Sequence, residues 1–336
     1  LLQGAVARGH SIGRVAALAR ARGLPEPDRR VDSEDVRHAL RAVNRHAFES
    51  LAQYVPAGGS WDDLCVPATT RSDLLDLQLR CRFREALPDA AATPFGGSLS
   101  RGVRALFAGP SGTGKTLAAR VLAAELRMEL YRVDLSSLVD KYIGQTEKNL
   151  NEVLSKAEDL DVMLLLDEGD SLMSGRTDVR SSNDRYANLE TNYLLQRLES
   201  FDGVLVITTN VGQRIDTAFL RRLDATVDFP PPAAVERERI WAAHLPAGHG
   251  VSAAFLHTLA ARAALTGGQI RNAALHATLV ALERGAGEPI LDRDLEMGAR
   301  REFRKSGSAW PGNGPPVNGG GEAPAGRLDH VMANLR

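Results

Sequence analysis

Residues 109–116 read Gly-Pro-Ser-Gly-Thr-Gly-Lys-Thr, a glycine-rich loop that ends in lysine and threonine. Its three glycines lack a Cβ and tolerate positive φ, so the loop can turn its backbone N–H groups toward an anion. Residues 103–108 before it alternate as a buried strand does, and residues 117–127 after it have helical periodicity. Because the N-terminal end of a helix favours negative charge, the pattern predicts a phosphate-binding loop between a strand and a helix.

Lysine and threonine at the end of this loop indicate a nucleoside triphosphate. Lys115 would reach the β- and γ-phosphates, and the Thr116 hydroxyl would bind Mg²⁺. The predicted ligands are therefore ATP and Mg²⁺. The loop residues assigned to nucleotide binding are Gly109, Pro110, Ser111, Gly112, Thr113, Gly114, Lys115, Thr116 and Leu117.

A second motif indicates that the nucleotide is hydrolysed. Residues 162–166 form an unbroken apolar run, typical of a strand covered on both faces, and Asp167 and Glu168 follow directly. Unpaired carboxylates are costly in a core, but ligands bind at the carboxyl edge of a parallel sheet. We expect Asp167 to bind Mg²⁺ through water and Glu168 to polarise the attacking water.

Length and composition fit an enzyme of one or two domains. The chain has 336 residues, 25% of them charged, and a formal net charge of −1, which argues against a chain-wide nucleic-acid surface. Cys65 and Cys81 have neither metal-type nor redox-type spacing, and the chain shows no signal peptide and no membrane-length apolar run. We therefore expect a cytoplasmic protein without a membrane partner. The first residue is Leu1, which indicates a fragment of a longer protein.

The alternation of patterns predicts how the chain is organised. Residues 101–232 read as an α/β core, a parallel sheet between two helical layers, and residues 233–305 read as a small all-helical domain. Residues 306–336 are rich in Gly and Pro and are predicted to be a disordered tail. Residues 1–55 are predicted to be helical, with one helix reaching from 33 to 54, and 56–100 to be a linker anchored by Trp61 and containing a helix from 74 to 86. The predicted core strands are 103–108, 130–135, 162–167, 204–209 and 225–229, and the predicted core helices are 115–127, 146–159 and 184–200.

With both nucleotide motifs placed, the segment from about 101 to 285 resembles the AAA+ ATPases. Thr208-Thr209-Asn210 ends the fourth core strand, where the family carries sensor 1, so the resemblance assigns Asn210 to orienting the water or reading the γ-phosphate. Gly267-Gly268-Gln269-Ile270-Arg271 resembles sensor 2 at the start of a lid helix, which implies that Arg271 contacts the bound nucleotide.

Residues 216–222 resemble the segment that carries the arginine finger of this family. The resemblance implies that Arg221 or Arg222 reaches the γ-phosphate on a neighbouring subunit, and it leaves open which of the two does so. Guanidinium suits this task because it stays charged and bonds phosphate in a bidentate way. Asp224 stands where many members have a second arginine, so a two-finger arrangement is in doubt.

Lys141, Tyr142, Ile143 and Gly144 lie where the family has its first pore loop, whose aromatic side chain grips an extended polypeptide. The alternative is a tyrosine packed on its own subunit. The resemblance thus implies a ring, expected to be a homo-hexamer, that couples ATP hydrolysis to moving a protein client. A nucleic-acid motor and an ATP-binding scaffold without remodelling activity are the alternatives, and the near-neutral charge does not favour the first.

Three stretches narrow the resemblance: residues 142–150, 184–190 and 219–223 are similar to bacterial AAA ATPases encoded with phage-tail-like contractile injection systems. A component of such a system is therefore a possible client. Residues 10–40 resemble lid helices, so residues 1–55 are either the lid of a missing upstream AAA module or an ordinary helical extension.

Overall fold

The computed structural model of the chain describes residues 48, 52–91, 100–134, 145–169, 196–210, 217–285 and 287–311. The chain divides into two compact units. The first comprises Leu1–Pro232 together with Thr266–Gln269, and the second comprises Ala233–Leu265 and Ile270–Arg336. No described helix combines the length and apolar character needed to cross a membrane.

A six-stranded sheet forms the centre of the first unit. Its strands are β1 (Gln53–Val55), β2 (Val103–Ala108), β3 (Leu130–Asp134), β4 (Met163–Asp167), β5 (Val204–Thr209) and β6 (Ala225–Asp228). They lie in the order β1-β3-β4-β5-β2-β6; β1 pairs antiparallel with β3, and every other pairing is parallel. The five parallel strands begin and end within one residue of their predicted bounds.

Helices cover both faces of this sheet. The described helices of the first unit are α1 (Ala68–Phe83), α2 (Leu87–Ala90), α3 (Lys115–Leu126), α4 (Gln145–Leu160) and α5 (Thr217–Leu220). Along β2, Leu106 and Ala108 pack into the core that α4 covers, and Ala105 and Phe107 pack into the core that α1 and α3 cover. The alternation follows from the two-residue period of a strand. It confirms the predicted α/β fold with a helical layer on each side of the sheet.

The N-terminal part of the first unit corrects one prediction. The helix expected from 33 to 54 does not reach its predicted end, because Gln53–Val55 is strand β1. Tyr54 lies across from Tyr131 in the register, with ring centroids 5.6 Å apart. This short strand supplies hydrogen-bond partners to the outer edge of β3, which would otherwise be a free sheet edge.

The linker after β1 is anchored as predicted. Trp61 is buried, and its Nε1–H donates to Gln78 Oε1 at 3.1 Å. The helix expected from 74 begins earlier, at Ala68, directly after Pro67. Thr70 in its first turn donates its hydroxyl to the Asp228 carbonyl at 2.7 Å, which joins α1 to the end of β6.

The second unit is helical. Its helices are α6 (Ala234–His244), α7 (Ala253–Arg262), α8 (Gly267–Arg284, which begins in the first unit) and α9 (Asp292–Lys305). Trp241 is fully buried at the centre of its core, against which α8 packs a row of alanines. Ser252 caps α7 by accepting the Phe255 N–H at 3.3 Å.

The packed chain continues past α9. Trp310 meets Phe303 edge-on at 5.2 Å between ring centroids, and the Arg300 guanidinium lies 5.1 Å from the Trp310 ring centre. The disordered tail predicted from residue 306 therefore starts too early: an aromatic and cation–π contact holds residues 306–311 on the second unit. Residues 312–336 lie outside the described part of the chain.

A buried carboxylate joins two helices of this unit and gives a pH-dependent prediction. Asp294 accepts the Leu291 N–H at 2.9 Å and Arg284 Nη1 at 2.6 Å. Burial raises the pKa of Asp294, but the hydrogen bonds from Arg284 and Leu291 and the nearby positive charge outweigh it, so the pKa lies below its usual value. The stabilisation is complete above the unfolded pKa of about 3.9 and is lost as the pH falls through the lower folded pKa.

We expect Asp294→Asn to destabilise the protein at pH 7 by about 3 kcal/mol, because it leaves Arg284 without its buried partner. Thermal melts of wild type and variant should converge as the pH falls below about 4. Glu288→Gln, at an exposed position of the same unit, is the control and should melt like wild type at both pH values. An undiminished difference at low pH would contradict the assignment of this ion pair.

Candidate nucleotide-binding site

The loop at 109–116 has a backbone that only glycine adopts easily at three positions. Gly109, Gly112 and Gly114 have φ values of 152°, 79° and 105°. A Cβ on Gly109 would lie 2.1 Å from the Phe229 carbonyl oxygen, and one on Gly112 would lie 2.7 Å from Thr266 Oγ1. All three positions therefore have a conformation that disfavours side chains, and Gly109 and Gly112 also lack the space for one. A loop without side chains at these positions can bring its backbone close to an anion.

Lys115 is the first residue of α3, and its ammonium group lies inside this loop. Its Nζ donates to the carbonyls of Gly109 at 2.5 Å and Pro110 at 2.9 Å. It also donates to Asn210 Oδ1 at 2.9 Å, although the two residues are 95 positions apart. The structure thus brings the predicted loop lysine and the predicted sensor amide into direct contact. Thr116 follows at the exposed N-terminal end of α3.

Sheet topology explains this convergence. β5 lies between β4 and β2, and the three strands are parallel, so the residues that follow them share one edge of the sheet. Asp167 ends β4, Asn210 follows β5, and the glycine-rich loop follows β2. Such an edge, at the carboxyl ends of parallel strands, is where α/β proteins bind ligands.

Asp167 is held by two residues to which the sequence analysis gave no role of their own. Its Oδ1 accepts the Thr208 hydroxyl, and its Oδ2 lies 2.8 Å from Arg132 Nη2. Thr208 is the second-last residue of β5, two positions before Asn210. Arg132 lies on β3, the neighbour of β4. A carboxylate has about four acceptor positions, so Asp167 can still accept from metal-bound water.

Glu168 has an unusual backbone for its residue type. Its φ is 59°, and it is one of three non-glycine residues with positive φ in the described ranges. The next residue, Gly169, donates its N–H to the Thr208 carbonyl at 2.9 Å and so ties the chain back to β5. A left-handed non-glycine residue costs about 1–2 kcal/mol, and such strain concentrates at functional sites. The side chain of Glu168 is exposed at the sheet edge.

The residues that could hold Mg²⁺ are compatible with the predicted role. Within the described ranges there is no group of three or more His, Cys, Asp and Glu side chains that could hold a metal by themselves. Mg²⁺ commonly keeps several waters and binds through one or two protein oxygens together with substrate phosphates. Thr116 and Asp167 supply that kind of partial ligand set.

The two finger candidates differ in their surroundings. Arg222 pairs through Nε with Oε1 of Glu199. Arg221 is exposed and makes no ion pair or hydrogen bond within the part of the chain that the structure describes. Phe219 is buried in the core, and Leu223 packs against it, so the backbone between them is fixed.

Asp224 has a structural role in this segment. Its carboxylate accepts the backbone N–H of Arg104 at 2.9 Å and Arg104 Nε at 2.8 Å, and its other oxygen pairs with Arg80 at 2.5 Å. Arg104 also donates to the Glu199 carbonyl at 2.5 Å. Asp224, which stands where many members of the family have a second arginine, therefore joins the chain after residues 216–222 to β2 and α1.

Arg271 and the four residues of the predicted pore loop remain to be described. Arg271 is an exposed residue of α8 in the second unit. There it is one cause of the lowered pKa of His244: burial contributes most, and the positive charge of Arg271 adds to it. Lys141, Tyr142, Ile143 and Gly144 lie outside the described residues, so their role stays a prediction.

Comparison with known proteins agrees with this geometry. A family model described as "ATPase family associated with various cellular activities (AAA)" matches residues 105–231. The 26S proteasome regulatory subunit 8 homolog of Encephalitozoon cuniculi is 30% identical over 210 residues, which are 60% of this chain and 53% of that relative. Proteasome-activating nucleotidase 2 of Halobacterium salinarum is 31% identical over 231 residues, 64% of this chain and 56% of that relative. The chain thus spans about half the length of these relatives.

A solved structure shows the same fold. The crystal structure of the FIGL-1 AAA domain superposes with a TM-score of 0.59 at 20% identity, covering 80% of this chain and 96% of that one. At this identity the similarity concerns the fold alone. The family model covers residues 105–231, the part of the chain that holds the glycine-rich loop and the strand ends described above.

Proposed function

We propose that this chain hydrolyses ATP at the edge of the sheet and couples hydrolysis to remodelling of a protein client within a homo-oligomeric ring. The observation that carries the proposal is the contact between Lys115 and Asn210 inside the glycine-rich loop. This contact places a cation and an amide oxygen together inside the loop. Asp167 ends the neighbouring strand β4 at the same edge, and Glu168 follows it.

Each side chain then has a defined task in hydrolysis. Lys115 exchanges its carbonyl and amide partners for phosphate oxygens when ATP binds. Thr116 and Asp167 would hold Mg²⁺, which would supply positive charge against the phosphates. Asn210 orients a water toward the γ-phosphorus, and Glu168 accepts a proton from that water. The water oxygen bonds to phosphorus as the bond to the β–γ bridging oxygen breaks, which releases ADP and phosphate.

Two variants test this assignment. We expect Lys115→Ala to abolish ATP binding, because the loop loses the cation that lies within it. Glu168→Gln keeps the shape of the side chain and loses the base, so ATP affinity should persist while turnover falls by about a hundredfold or more. Isothermal calorimetry and phosphate release measure the two effects. Unchanged affinity in Lys115→Ala would exclude the loop as the ATP site, and equal loss of binding in both variants would make Glu168 structural.

For the finger in trans we propose Arg221. Arg222 already has a carboxylate partner in its own subunit, whereas Arg221 projects from a fixed backbone without one in the described ranges. The Arg222–Glu199 pair is partly exposed and is worth about 1 kcal/mol at most, so it limits Arg222 only modestly. The choice between them therefore requires measurement.

We expect Arg221→Ala to lower turnover per subunit by about a thousandfold with little change in ATP affinity, and Arg222→Ala to lower it by less than about tenfold. The two variants change neighbouring residues, so a general loss of structure in this segment would lower the turnover of both. A mixture of Arg221→Ala with Lys115→Ala should regain part of the lost turnover, since each copy supplies what the other lacks. An Arg222→Ala defect larger than that of Arg221→Ala would reverse the assignment, and no rescue on mixing would contradict action in trans.

The relatives support a protein client, since they include a proteasome regulatory subunit and a proteasome-activating nucleotidase. We propose that Tyr142 grips that client in the pore. We further propose that the client is a component of a contractile injection system. The supporting observation is the resemblance of three stretches to ATPases encoded with such systems: residues 142–150, 184–190 and 219–223. Six subunits per ring, a bacterial source and a cytoplasmic location belong to the same proposal.

A client search and a pore variant test this part. The Glu168→Gln protein, held with ATP, should retain the client in a pull-down that mass spectrometry then identifies. With that client, Tyr142→Ala should keep basal ATP turnover and lose client stimulation, because a gripping side chain acts on the client alone. A buried tyrosine would instead cost about 3–5 kcal/mol on truncation and lower the melting temperature. Full client stimulation in Tyr142→Ala would remove Tyr142 from the mechanism.

A further inference from the structure

Helix α8 packs small side chains inward and large ones outward. It buries Ala273, Ala274, Ala277 and Ala281 in the core of the second unit. On the opposite face Leu275, Leu279 and Leu282, the α8 stripe, are 57%, 64% and 58% exposed. A helix that serves only its own core would place the leucines inside, because each buried leucine contributes more apolar area than alanine does. The α8 stripe therefore has the composition of a contact surface.

Helix α1 carries a second exposed row. Leu74, Leu77 and Cys81 pack into the core of the first unit, whereas Leu75, Leu79 and Phe83, the α1 stripe, are 43%, 56% and 54% exposed. With a helical rise of 1.5 Å per residue, the α1 stripe is about 12 Å long and the α8 stripe about 10.5 Å long. The two rows thus have matching lengths and spacing.

Charges at the stripe ends favour one relative direction. Exposed Asp73 lies at the N-terminal end of the α1 stripe and exposed Arg82 at its C-terminal end. The α8 stripe has Arg271 at its N-terminal end and exposed Glu283 at its C-terminal end. A parallel alignment places opposite charges together at both ends, and an antiparallel alignment places like charges together. Neither Arg82 nor Glu283 has an ion-pair partner in the described ranges.

We propose that the α1 stripe of one copy docks, in parallel, on the α8 stripe of the next copy. This inference rests on the proposed ring and names the surfaces that build it. We assign a second copy of this chain as the binding partner, because the complementary end charges of the α1 stripe and the α8 stripe lie on the same chain. The two stripes differ, so the contact is heterologous: each subunit gives one stripe and receives the other, which closes into a ring when the rotation allows.

Two aspartate variants test the contact by sedimentation velocity of the full chain in Mg-ATP over a concentration series. Leu79→Asp and Leu279→Asp should each prevent assembly, or raise the concentration for half-assembly by at least about tenfold, because a charge enters an apolar contact. Val235→Asp is the matched control: Val235 is 70% exposed on α6 and outside both stripes, so its variant should assemble like wild type. Circular dichroism melts check that all three variants fold.

Mixing the variants separates a heterologous contact from a symmetric one. A Leu79→Asp copy keeps its α8 stripe, and a Leu279→Asp copy keeps its α1 stripe, so the mixture should form heterodimers and nothing larger. If instead α1 paired with α1, only Leu79→Asp would block assembly and the mixture would gain nothing. If α8 paired with α8, only Leu279→Asp would block it. Either result would overturn the proposal.

A charge exchange tests the direction. Arg82→Glu and Glu283→Arg should each raise the concentration for half-assembly about threefold to tenfold. The double variant should return to the wild-type concentration, because the ion pair is restored with its charges exchanged. Additive weakening in the double variant would exclude the parallel alignment. If the wild-type protein stays monomeric at every concentration, the proposed ring itself is wrong. If the wild-type protein and both aspartate variants assemble equally well, only the proposed contact surfaces are wrong.

Discussion

The ammonium group of Lys115 is the constraint around which the site is organised. A cation this deeply buried is tolerated only with oxygen atoms around it. Two loop carbonyls and the Asn210 amide provide such atoms. This requirement fixes the curvature of the loop, which in turn demands glycine where φ is positive. Lys115 thereby adds a side-chain link between the ends of β2 and β5, which the backbone ladder already pairs up to Ala108 and Thr209.

Under the proposed function, the same interaction would let the protein distinguish its nucleotide-bound and nucleotide-free forms. Carbonyl and amide oxygens are neutral acceptors, whereas triphosphate oxygens are charged and form stronger hydrogen bonds with an ammonium group. An arriving phosphate chain therefore competes for Lys115 with partners on two different strand ends. When Lys115 changes partner, Asn210 is released for another task. The glycine-rich loop and Asn210, the proposed sensor, are thus joined through one shared donor, Lys115.

Sequence reasoning located the parallel strands almost to the residue. Three of them, β2, β4 and β5, are largely apolar and buried on both faces, a pattern that can be recognised without knowing the neighbouring strands. Strand β1 was not predicted, because three residues at a sheet edge are too few to show a periodic pattern. The predicted start of α1, Leu74, lies six residues after the observed start, Ala68. The Asp224 network was also beyond the reach of sequence reasoning. Arg80 and Arg104 lie 144 and 120 positions from Asp224, and only the folded sheet brings them together. The same holds for Thr208 and Arg132, which hold Asp167 from neighbouring strands.

The positions of the tryptophans have a practical spectroscopic consequence. The chain has three of them: Trp61 is anchored in the first unit, while Trp241 and Trp310 belong to the second. Trp61 and Trp241 are both buried, so each loses its apolar surroundings when its own unit unfolds. Proteins that keep a single indole at 61 or at 241 would therefore report, by the red shift of their emission, whether the α/β unit and the helical unit melt in one transition or in two.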